Sequence, residues 1–211
     1  MRWLCVTVLC AVLAIALAAT AGVLVRPAFD RNSVTVVVHT THGHGSGVVI
    51  GDGHYIVTAK HVVADGVTSV RTMDGVEHKV EVVWQAEGGD FALLWTEDLL
   101  PAAEMNCDGA KVGDWLEIVG APAPSGPIAL FWYHSWGAAG GYYDIVGFGN
   151  MLVFSAAIYG GSSGGPVFDE DGRVVGIAVA MAAVPGADWR PAPIGFNIAV
   201  PSQRICAALA W

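Results

Sequence analysis

The chain has 211 residues, of which 54% are hydrophobic and 14% are charged, and its formal net charge is −9. This length suffices for one or two domains with a sizeable core, and the composition excludes an intrinsically disordered chain. Because the acidic balance comes without any cluster of lysine and arginine, the sequence also argues against nucleic acid as a partner.

The first 25 residues are predicted to be a signal peptide or a membrane anchor. Residues 3–25 carry no charge and are almost wholly apolar, which is long enough for an apolar helix that crosses a bilayer. The alanine-containing steps at Ala16–Ala18 and Ala19–Ala21 are of the kind cleaved after a secretory signal. Length favours an anchor and the alanines favour cleavage, so both alternatives stay open. Either one predicts that residues 26–211 work outside the cytoplasm, membrane-anchored or secreted.

The first half of the remaining chain alternates short apolar runs with glycine-containing turns, which predicts antiparallel β structure. Its first run is rich in β-branched residues, as strands commonly are. No stretch shows a long 3.6-residue period, so we expect a six-stranded barrel over residues 33–100. The six predicted strands are Val34–Val38, Val48–Ile50, Tyr55–Val57, Val67–Met73, Glu77–Trp84 and Phe91–Trp95.

A second unit of similar size follows a turn-rich connection over residues 101–111. Residues 112–200 are predicted to form a second six-stranded barrel, and the glycine-rich stretch Gly137–Gly149 is predicted to be a long mobile loop. The predicted strands of this unit are Trp115–Val119, Ile128–Trp136, Met151–Ala157, Val167–Phe168, Val174–Ala180 and Ile194–Ala199.

One good helix candidate follows the second barrel. Ser202–Leu209 lies directly behind Pro201, and proline is favoured near the first turn of a helix. The predicted fold class is therefore all-β: two six-stranded antiparallel β-barrels with a C-terminal helix over residues 202–210, preceded by an N-terminal apolar helix.

The block Gly160-Gly161-Ser162-Ser163-Gly164-Gly165-Pro166 is the most informative motif of the chain. A nucleophilic serine needs a backbone that bends sharply and directs N–H groups at the oxygen on which charge develops, and glycine permits that bend. A Gly/Ser linker or a tight hairpin is the alternative. A linker would not lie between two apolar runs, and this block lies between Met151–Ile158 and Val167–Phe168.

The order of the histidines restricts the type of catalytic serine. All seven histidines precede Ser163, which excludes an α/β-hydrolase because its histidine follows the nucleophile. The order His, Asp, Ser is that of the two-barrel serine proteases. His61 follows a predicted strand, and Asp90 heads the apolar run Phe91–Leu94, where a partly buried carboxylate needs a hydrogen-bonding partner. Alone, these residues could be a packed histidine, a strand cap and a turn serine.

On these motifs the chain resembles the HtrA-type members of the trypsin-like, chymotrypsin-fold serine proteases. The resemblance implies two perpendicular barrels with a catalytic triad of His61, Asp90 and Ser163 in the cleft. It also implies an oxyanion hole made by the backbone N–H groups of Gly161 and Ser163. The matching stretches are Gly45–Ile50, Tyr55–Val63, Asp90–Leu94, Ser162–Val167 and Gly195–Ser202.

The function implied by the resemblance is a serine endopeptidase that cleaves polypeptides through an acyl-enzyme and needs no metal or other cofactor. The resemblance places Ala157 and Ile158 at the primary specificity pocket, with Ala178 along its edge. Because none of these residues is charged, we expect cleavage after small or aliphatic residues; the alternative is that they only pack the barrel. A protease-like binding module that lacks catalysis is the alternative function.

The chain also departs from the HtrA pattern. Ser162 stands where the family commonly has asparagine, and Gly160 stands where it usually has proline. Because of these two changes, the resemblance does not decide whether the oxyanion loop is rigid. No second domain follows Ser202, so the PDZ module usual in HtrA proteins is expected to be absent.

The cysteines and the remaining histidines complete the candidate residues. Outside the leader only Cys107 and Cys206 remain, and in an exported protein they are plausible as a disulfide, with two buried free thiols as the alternative. No zinc-type spacing is present, and His39, His42 and His44 are expected to be solvated rather than metal-bound. An aromatic surface for a partner or a membrane could be formed by Trp132, Tyr133, Trp136, Tyr142 and Tyr143.

Overall fold

The computed structural model describes residues 29–122, 132–185 and 191–210, so the predicted N-terminal apolar helix lies outside the described residues. Within these ranges, the helices are too short or too polar to cross a membrane. The elements are α1 (Arg31–Val34), β1 (Thr35–Thr40), β2 (His44–Ile50), β3 (Tyr55–Thr58), a 3-10 turn (Lys60–Val63), β4 (Val67–Arg71), β5 (Glu77–His78), β6 (Glu81–Gln85), β7 (Ala92–Trp95), β8 (Trp115–Gly120), β9 (Tyr133–Ile145), β10 (Gly149–Phe154), β11 (Pro166–Phe168), β12 (Val174–Pro185), β13 (Pro191–Pro201) and α2 (Ser202–Leu209).

The first β unit is an open seven-stranded antiparallel sheet in the order β5-β4-β1-β2-β3-β7-β6. The prediction of a closed six-stranded barrel is therefore wrong for this half. The predicted strand Glu77–Trp84 divides into β5, which pairs with β4, and β6, which pairs with β7. Because the two pieces lie at opposite edges of the sheet, they leave it open where a single strand would have closed it.

The second β unit is a closed barrel of six antiparallel strands in the order β10-β13-β12-β11-β8-β9, as predicted in number and type. The predicted mobile loop Gly137–Gly149 is wrong, because β9 extends to Ile145 and pairs with β10. Its glycines allow close packing: a Cβ on Gly137 would lie 2.2 Å from the backbone nitrogen of Ala156. At Gly141, whose φ is +112°, the strand passes through a register irregularity that only glycine adopts without strain.

Each β unit encloses an apolar core that fixes its strands. In the first sheet the inward side chains of β1, β2, β3 and β7, such as Val38, Val49 and Leu94, are fully buried. In the barrel Leu116 and Phe154 belong to a second buried cluster. Burying aliphatic and aromatic side chains in this way is the dominant favourable contribution to folding.

The predicted C-terminal helix is confirmed as α2, which begins directly after Pro201. Its Ile205 and Cys206 side chains are buried against the barrel. A disulfide joins Cys206 to Cys107 in the segment between the two β units, across a sequence separation of 99 residues. The helix and the connection between the units are therefore tied together covalently.

The N-terminal residues fasten the first sheet to the barrel. Arg31 forms a 2.9 Å ion pair with Glu117 on β8, and Nδ1 of His134 on β9 lies 2.5 Å from the same carboxylate. The Nε2 atom of His134 lies 2.7 Å from Oδ1 of Asn32 in α1. These contacts join the start of the first sheet to two adjacent strands of the barrel.

Candidate active site

His61 lies in the 3-10 turn that follows β3. Ala59, which is fully buried, keeps the chain extended before the turn, so the turn starts from a rigid strand. Lys60 donates a hydrogen bond from Nζ to the carbonyl oxygen of Ala86 at 2.7 Å, which fixes the other side of the turn. The imidazole of His61 is 49% exposed and therefore reachable from solvent.

Asp90 lies next to His61 although 29 residues separate them in sequence. Its Oδ2 atom is 2.6 Å from Nδ1 of His61, and its Oδ1 atom accepts the backbone N–H of His61 at 2.9 Å. Burial alone would raise the pKa of Asp90, but the hydrogen bonds from the side chain and backbone of His61, its charge, and the backbone of Lys60 together hold that pKa below its usual value. With an ionised carboxylate on Nδ1, a neutral imidazole carries its proton there and leaves Nε2 as an acceptor.

Ser163 lies in a tight backbone loop between β10 and β11, which we call the serine loop (residues 159–165). Gly161 and Gly164 have φ angles of +94° and +86°, which favour glycine. At Gly164 a Cβ would also lie 2.0 Å from the carbonyl oxygen of Ser46. The loop is held by backbone hydrogen bonds: the N–H of Ser46 donates to the carbonyl of Ser163 at 2.8 Å, and the N–H of Gly164 donates to the carbonyl of Ala178 at 2.7 Å.

The two predicted oxyanion donors lie on this loop. Within residues 29–122, 132–185 and 191–210, the N–H groups of Gly161 and Ser163 have no acceptor. Between them, Ser162 is buried, its N–H donates to the carbonyl of Tyr159 at 2.9 Å, and its hydroxyl accepts the N–H of Tyr159 at 3.3 Å. Ser162, one of the two positions at which this loop departs from the HtrA pattern, thus has a side chain that closes the turn.

The hydroxyl of Ser163 itself donates to the carbonyl oxygen of Val179 at 3.3 Å. No hydrogen bond joins it to His61 among the described residues, so the structure pairs His61 with Asp90 but does not bond Ser163 to either. The loop and the turn are nevertheless neighbours around Gly45. A Cβ on that glycine would meet the side chain of Val62 at 2.7 Å and the carbonyl oxygen of Ser163 at 3.0 Å.

The predicted pocket residues lie beside the serine loop. Ala157 is exposed, whereas Ile158 and Ala178 are buried. Two polar residues that the sequence analysis missed fix this wall: Ser135 accepts the N–H of Ala157 at 2.8 Å, and Nδ2 of Asn197 donates to the carbonyl of Ala156 at 2.6 Å. A polar residue inside the apolar run Phe196–Ala199 was the available signal for Asn197.

The remaining candidate residues are the three histidines and the predicted aromatic residues, of which Tyr133 packs against Tyr159 of the serine loop at a ring-centroid distance of 5.4 Å. Nε2 of His44 contacts the carbonyl of Ala121 at 2.8 Å, and His39 pairs with Glu77 at 3.5 Å. The described part of the chain contains no group of three or more His, Cys, Asp or Glu side chains arranged for a metal ion. The predicted aromatic residues do not share one environment: Trp136 and Tyr143 are more than half exposed, but the others are not.

Comparison with known proteins shows the family. A model of the trypsin-like peptidase domain matches residues 45–177. A probable periplasmic serine endoprotease DegP-like of Rhizobium meliloti (strain 1021) is 31% identical over 166 residues, which cover 75% of this chain and 31% of the relative. A relative of the same description in Pseudomonas fulva (strain 12-X) is 35% identical over 136 residues, which cover 63% of this chain and 28% of the relative. The chain thus spans about a third of the length of these curated relatives.

Solved structures share the fold. The serine endoprotease from Yersinia pestis aligns with a TM-score of 0.69 at 24% identity, covering 85% of this chain and 62% of that one. An inactive serine-to-alanine mutant of Rv3671c from M. tuberculosis H37Rv aligns with a TM-score of 0.67 at 21% identity, covering 85% of this chain and 86% of that one. At these identities the likeness concerns the fold alone.

Proposed function

Because the chain belongs to the trypsin-like peptidase family, with DegP-like relatives of the HtrA type, we propose that it is a serine endopeptidase with His61, Asp90 and Ser163 as its catalytic triad. The observation that carries this proposal is the 2.6 Å contact between Nδ1 of His61 and Oδ2 of Asp90, with a serine loop packed beside the same turn. A binding module without catalysis would have no need of this pairing.

The first chemical step requires the Ser163 hydroxyl to leave the carbonyl of Val179. In the proposed step a rotation about its Cα–Cβ bond turns the hydroxyl from Val179 to Nε2 of His61, since contacts of this kind commonly form only when substrate binds. His61 then takes the hydroxyl proton as Ser163 attacks the scissile carbonyl. Asp90, ionised because its pKa is held low, stabilises the imidazolium that results.

The second part of the proposal concerns the charge that forms on the carbonyl oxygen. The N–H groups of Gly161 and Ser163, which lack acceptors among the described residues, are the donors for this oxyanion. One such donor is worth about 3–4 kcal/mol of barrier in well-studied serine proteases. His61 returns its proton to the leaving amine, and water then hydrolyses the acyl-enzyme by the same steps in reverse.

The pocket residues support a preference for small or aliphatic side chains before the cleaved bond. Ala157, Ile158 and Ala178 offer no charge to pair with lysine or arginine, and Ser135 and Asn197 are engaged in holding the wall. A peptide-library profile dominated by arginine or lysine would refute this preference.

We place the protein outside the cytoplasm. The names of its DegP-like relatives describe them as periplasmic, and residues 3–25 are an uncharged apolar run that suits a signal peptide or an anchor. Residues 26–211 would then form the protease domain, with polypeptides as the substrates.

The test is cleavage of denatured, dye-labelled casein by the full chain. The wild type and Ser69→Ala, which changes a half-buried serine on β4 away from the serine loop, should both release soluble dye. Ser163→Ala should release none while unfolding at the same temperature as the wild type. Equal cleavage by Ser163→Ala and the wild type would rule out Ser163 as the nucleophile.

A further inference from the structure

Ser46 on β2 belongs to the first sheet but contacts the serine loop of the barrel. It is fully buried, and its Oγ atom lies between two backbone groups. Oγ accepts the N–H of Ala121 at 2.9 Å and donates to the carbonyl oxygen of Gly161 at 2.8 Å. One hydroxyl therefore joins β2, the end of β8 and the serine loop.

The direction of the Ser46 hydroxyl proton follows from its partners. A serine hydroxyl has one proton to donate. Because the N–H of Ala121 can only donate, it must occupy a lone pair of Oγ, which leaves the proton for the carbonyl of Gly161. His44, two residues earlier on the same strand, contacts the carbonyl of Ala121 at 2.8 Å, so the backbone of Ala121 is held at both its polar groups.

The same residue holds the serine loop at a second point. The backbone N–H of Ser46 donates to the carbonyl of Ser163 at 2.8 Å. The carbonyls of Gly161 and Ser163, the two residues whose N–H groups would receive the oxyanion, are thus both bound to Ser46. The peptide unit between Gly161 and Ser162 is fixed at each end, because the N–H of Ser162 donates to the carbonyl of Tyr159 at 2.9 Å.

We infer that Ser46 is a positioning residue for the oxyanion hole: its hydroxyl, acting through the carbonyl of Gly161, holds the serine loop with its N–H groups turned toward the cleft. This inference rests on the proposed function and goes beyond the triad. It also assigns a role to the stretch Gly45-Ser46-Gly47, which the triad leaves unused. In this role the first sheet supplies the imidazole and also sets the geometry of the nucleophile's loop.

Local packing leaves little room for a substitute partner. A Cβ on Gly165 would lie 2.5 Å from the carbonyl oxygen of Val119 and 3.3 Å from Cβ of Ser46, so the loop is close-packed there. Removing the hydroxyl leaves the buried N–H of Ala121 and the partly buried carbonyl of Gly161 without this partner. Polar groups left without a hydrogen-bond partner cost free energy. The serine loop can restore a partner to the carbonyl of Gly161 by turning away from Ser46.

The test compares Ser46→Ala with Ser202→Ala in the full chain. Ser202 is also fully buried and donates one hydrogen bond to a backbone carbonyl, that of Asn106 at 2.6 Å, at the start of α2. The two variants therefore lose the same chemical group in comparably buried places. We expect kcat for a chromogenic peptide to fall about tenfold or more in Ser46→Ala, since loss of a whole oxyanion donor costs about 10²–10³ in kcat. KM should change little, and Ser202→Ala should keep the wild-type kcat below its unfolding temperature.

A second measurement separates positioning from loss of stability. A peptide aldehyde adds the Ser163 hydroxyl across its carbonyl and places an oxygen in the oxyanion hole, whereas the matching peptide alcohol binds without a covalent bond. Ser46→Ala should weaken the aldehyde by the same factor by which kcat/KM falls and leave the alcohol unchanged. A merely structural role would weaken both inhibitors or neither.

The outcomes distinguish this inference from the proposed function. A wild type that cleaves no peptide and does not bind the aldehyde overturns the proposed function, and the inference with it. An active wild type whose Ser46→Ala variant keeps its kcat, or loses no more than Ser202→Ala, overturns the inference alone. A parallel loss of kcat/KM and aldehyde affinity, confined to Ser46→Ala, supports it.

Discussion

The two halves of the candidate active site are held in different ways. His61 and Asp90 both lie in connections between strands of the first β unit, and side-chain and backbone contacts of 2.6 and 2.9 Å bind them directly to each other. The serine loop belongs to the barrel and is held mainly through its backbone, partly by Ser46 on the other β unit. One half is therefore assembled within a sheet, and the other depends on how the two β units contact each other.

This difference indicates where the site is sensitive. An ionised carboxylate bound to an imidazole keeps its geometry as long as the 3-10 turn and β7 stay folded. A loop held through its carbonyls can lose the direction of its N–H groups while the rest of the barrel remains intact. Changes to the pair should therefore affect the chemistry of the proton, and changes to the loop should affect the stabilisation of the oxyanion.

The largest expected effect comes from the His61–Asp90 pair. Asp90→Asn keeps the size of the side chain but removes the charge and favours the wrong tautomer of His61. The corresponding change in a trypsin lowers kcat about 10⁴-fold, and we expect a loss of that order here. Steady-state hydrolysis of a peptide substrate measures it. A loss of less than about tenfold would show that Asp90 does not orient the base.

The next effect tests how tightly the serine loop is packed. Gly164→Ala introduces a Cβ 2.0 Å from the carbonyl of Ser46 at a φ of +86°, so the loop must move. Gly66→Ala is the matched control, because its φ is +90° but no atom lies within 4 Å of the new Cβ. In both variants backbone strain should lower the free energy of unfolding by about 1–3 kcal/mol, which denaturant unfolding measures. Only Gly164→Ala should also lose most of its activity; equal activity in the two variants would contradict the packing described for the loop.

A smaller effect is expected at the disulfide, which involves neither half of the site. Replacing both Cys107 and Cys206 by serine should lower the free energy of unfolding by about 2–4 kcal/mol, because the unfolded chain regains the freedom of a long loop. At temperatures well below unfolding, kcat and KM should stay at the wild-type values. A loss of kcat in the fully folded variant would mean that the disulfide also shapes the cleft.

The smallest expected effect is on the pH dependence of stability, to which His39 and Asp90 should contribute in different pH ranges. Burial lowers the pKa of His39, Glu77 opposes this, and Arg71 and His44 lower it further. The folded state thus prefers neutral His39, and its contribution to stability is full above the unfolded-state pKa of about 6.5 and is lost as pH falls through the lower folded value. Asp90 has a lowered pKa as well, so its contribution is lost only below about pH 4.

His39→Gln should therefore flatten the change in the free energy of unfolding between pH 7 and pH 5, whereas the Asp90 contribution should change only at more acidic pH. Urea unfolding at several pH values measures both. A profile between pH 7 and pH 5 that is the same in His39→Gln and in the wild type would contradict the direction given for His39.

The sequence predicted the features that depend on local patterns. The helix behind Pro201, the closed second barrel and the mostly β composition follow from turn residues and apolar runs that are visible in one dimension. The predictions from sequence were wrong where packing between strands decides whether a segment forms a strand or a loop. Glycines in residues 137–149 indicated a loop, but in β9 they are small residues that let strands approach closely.

The candidate site shows the same division. Residue order, the local settings of the residues and the resemblance to HtrA-type proteases together selected His61, Asp90 and Ser163 as candidates. A polar residue in an apolar run could have marked Asn197, but the partners of Ser46 and Asn197 were not predictable, because each contact joins segments that are distant in sequence through a backbone carbonyl. The position of the Ser163 hydroxyl on Val179 likewise depends on a side-chain rotation that no sequence pattern records.

The most direct test of the central claim is labelling by a fluorophosphonate probe, with the modified residue identified by mass spectrometry. The wild type should carry the label on Ser163 alone, His61→Ala and Asp90→Asn should label far more slowly, and Ser163→Ala should carry none. A label on any other serine, or an unlabelled wild type that is fully folded, would contradict the convergence of His61, Asp90 and Ser163 into one catalytic site.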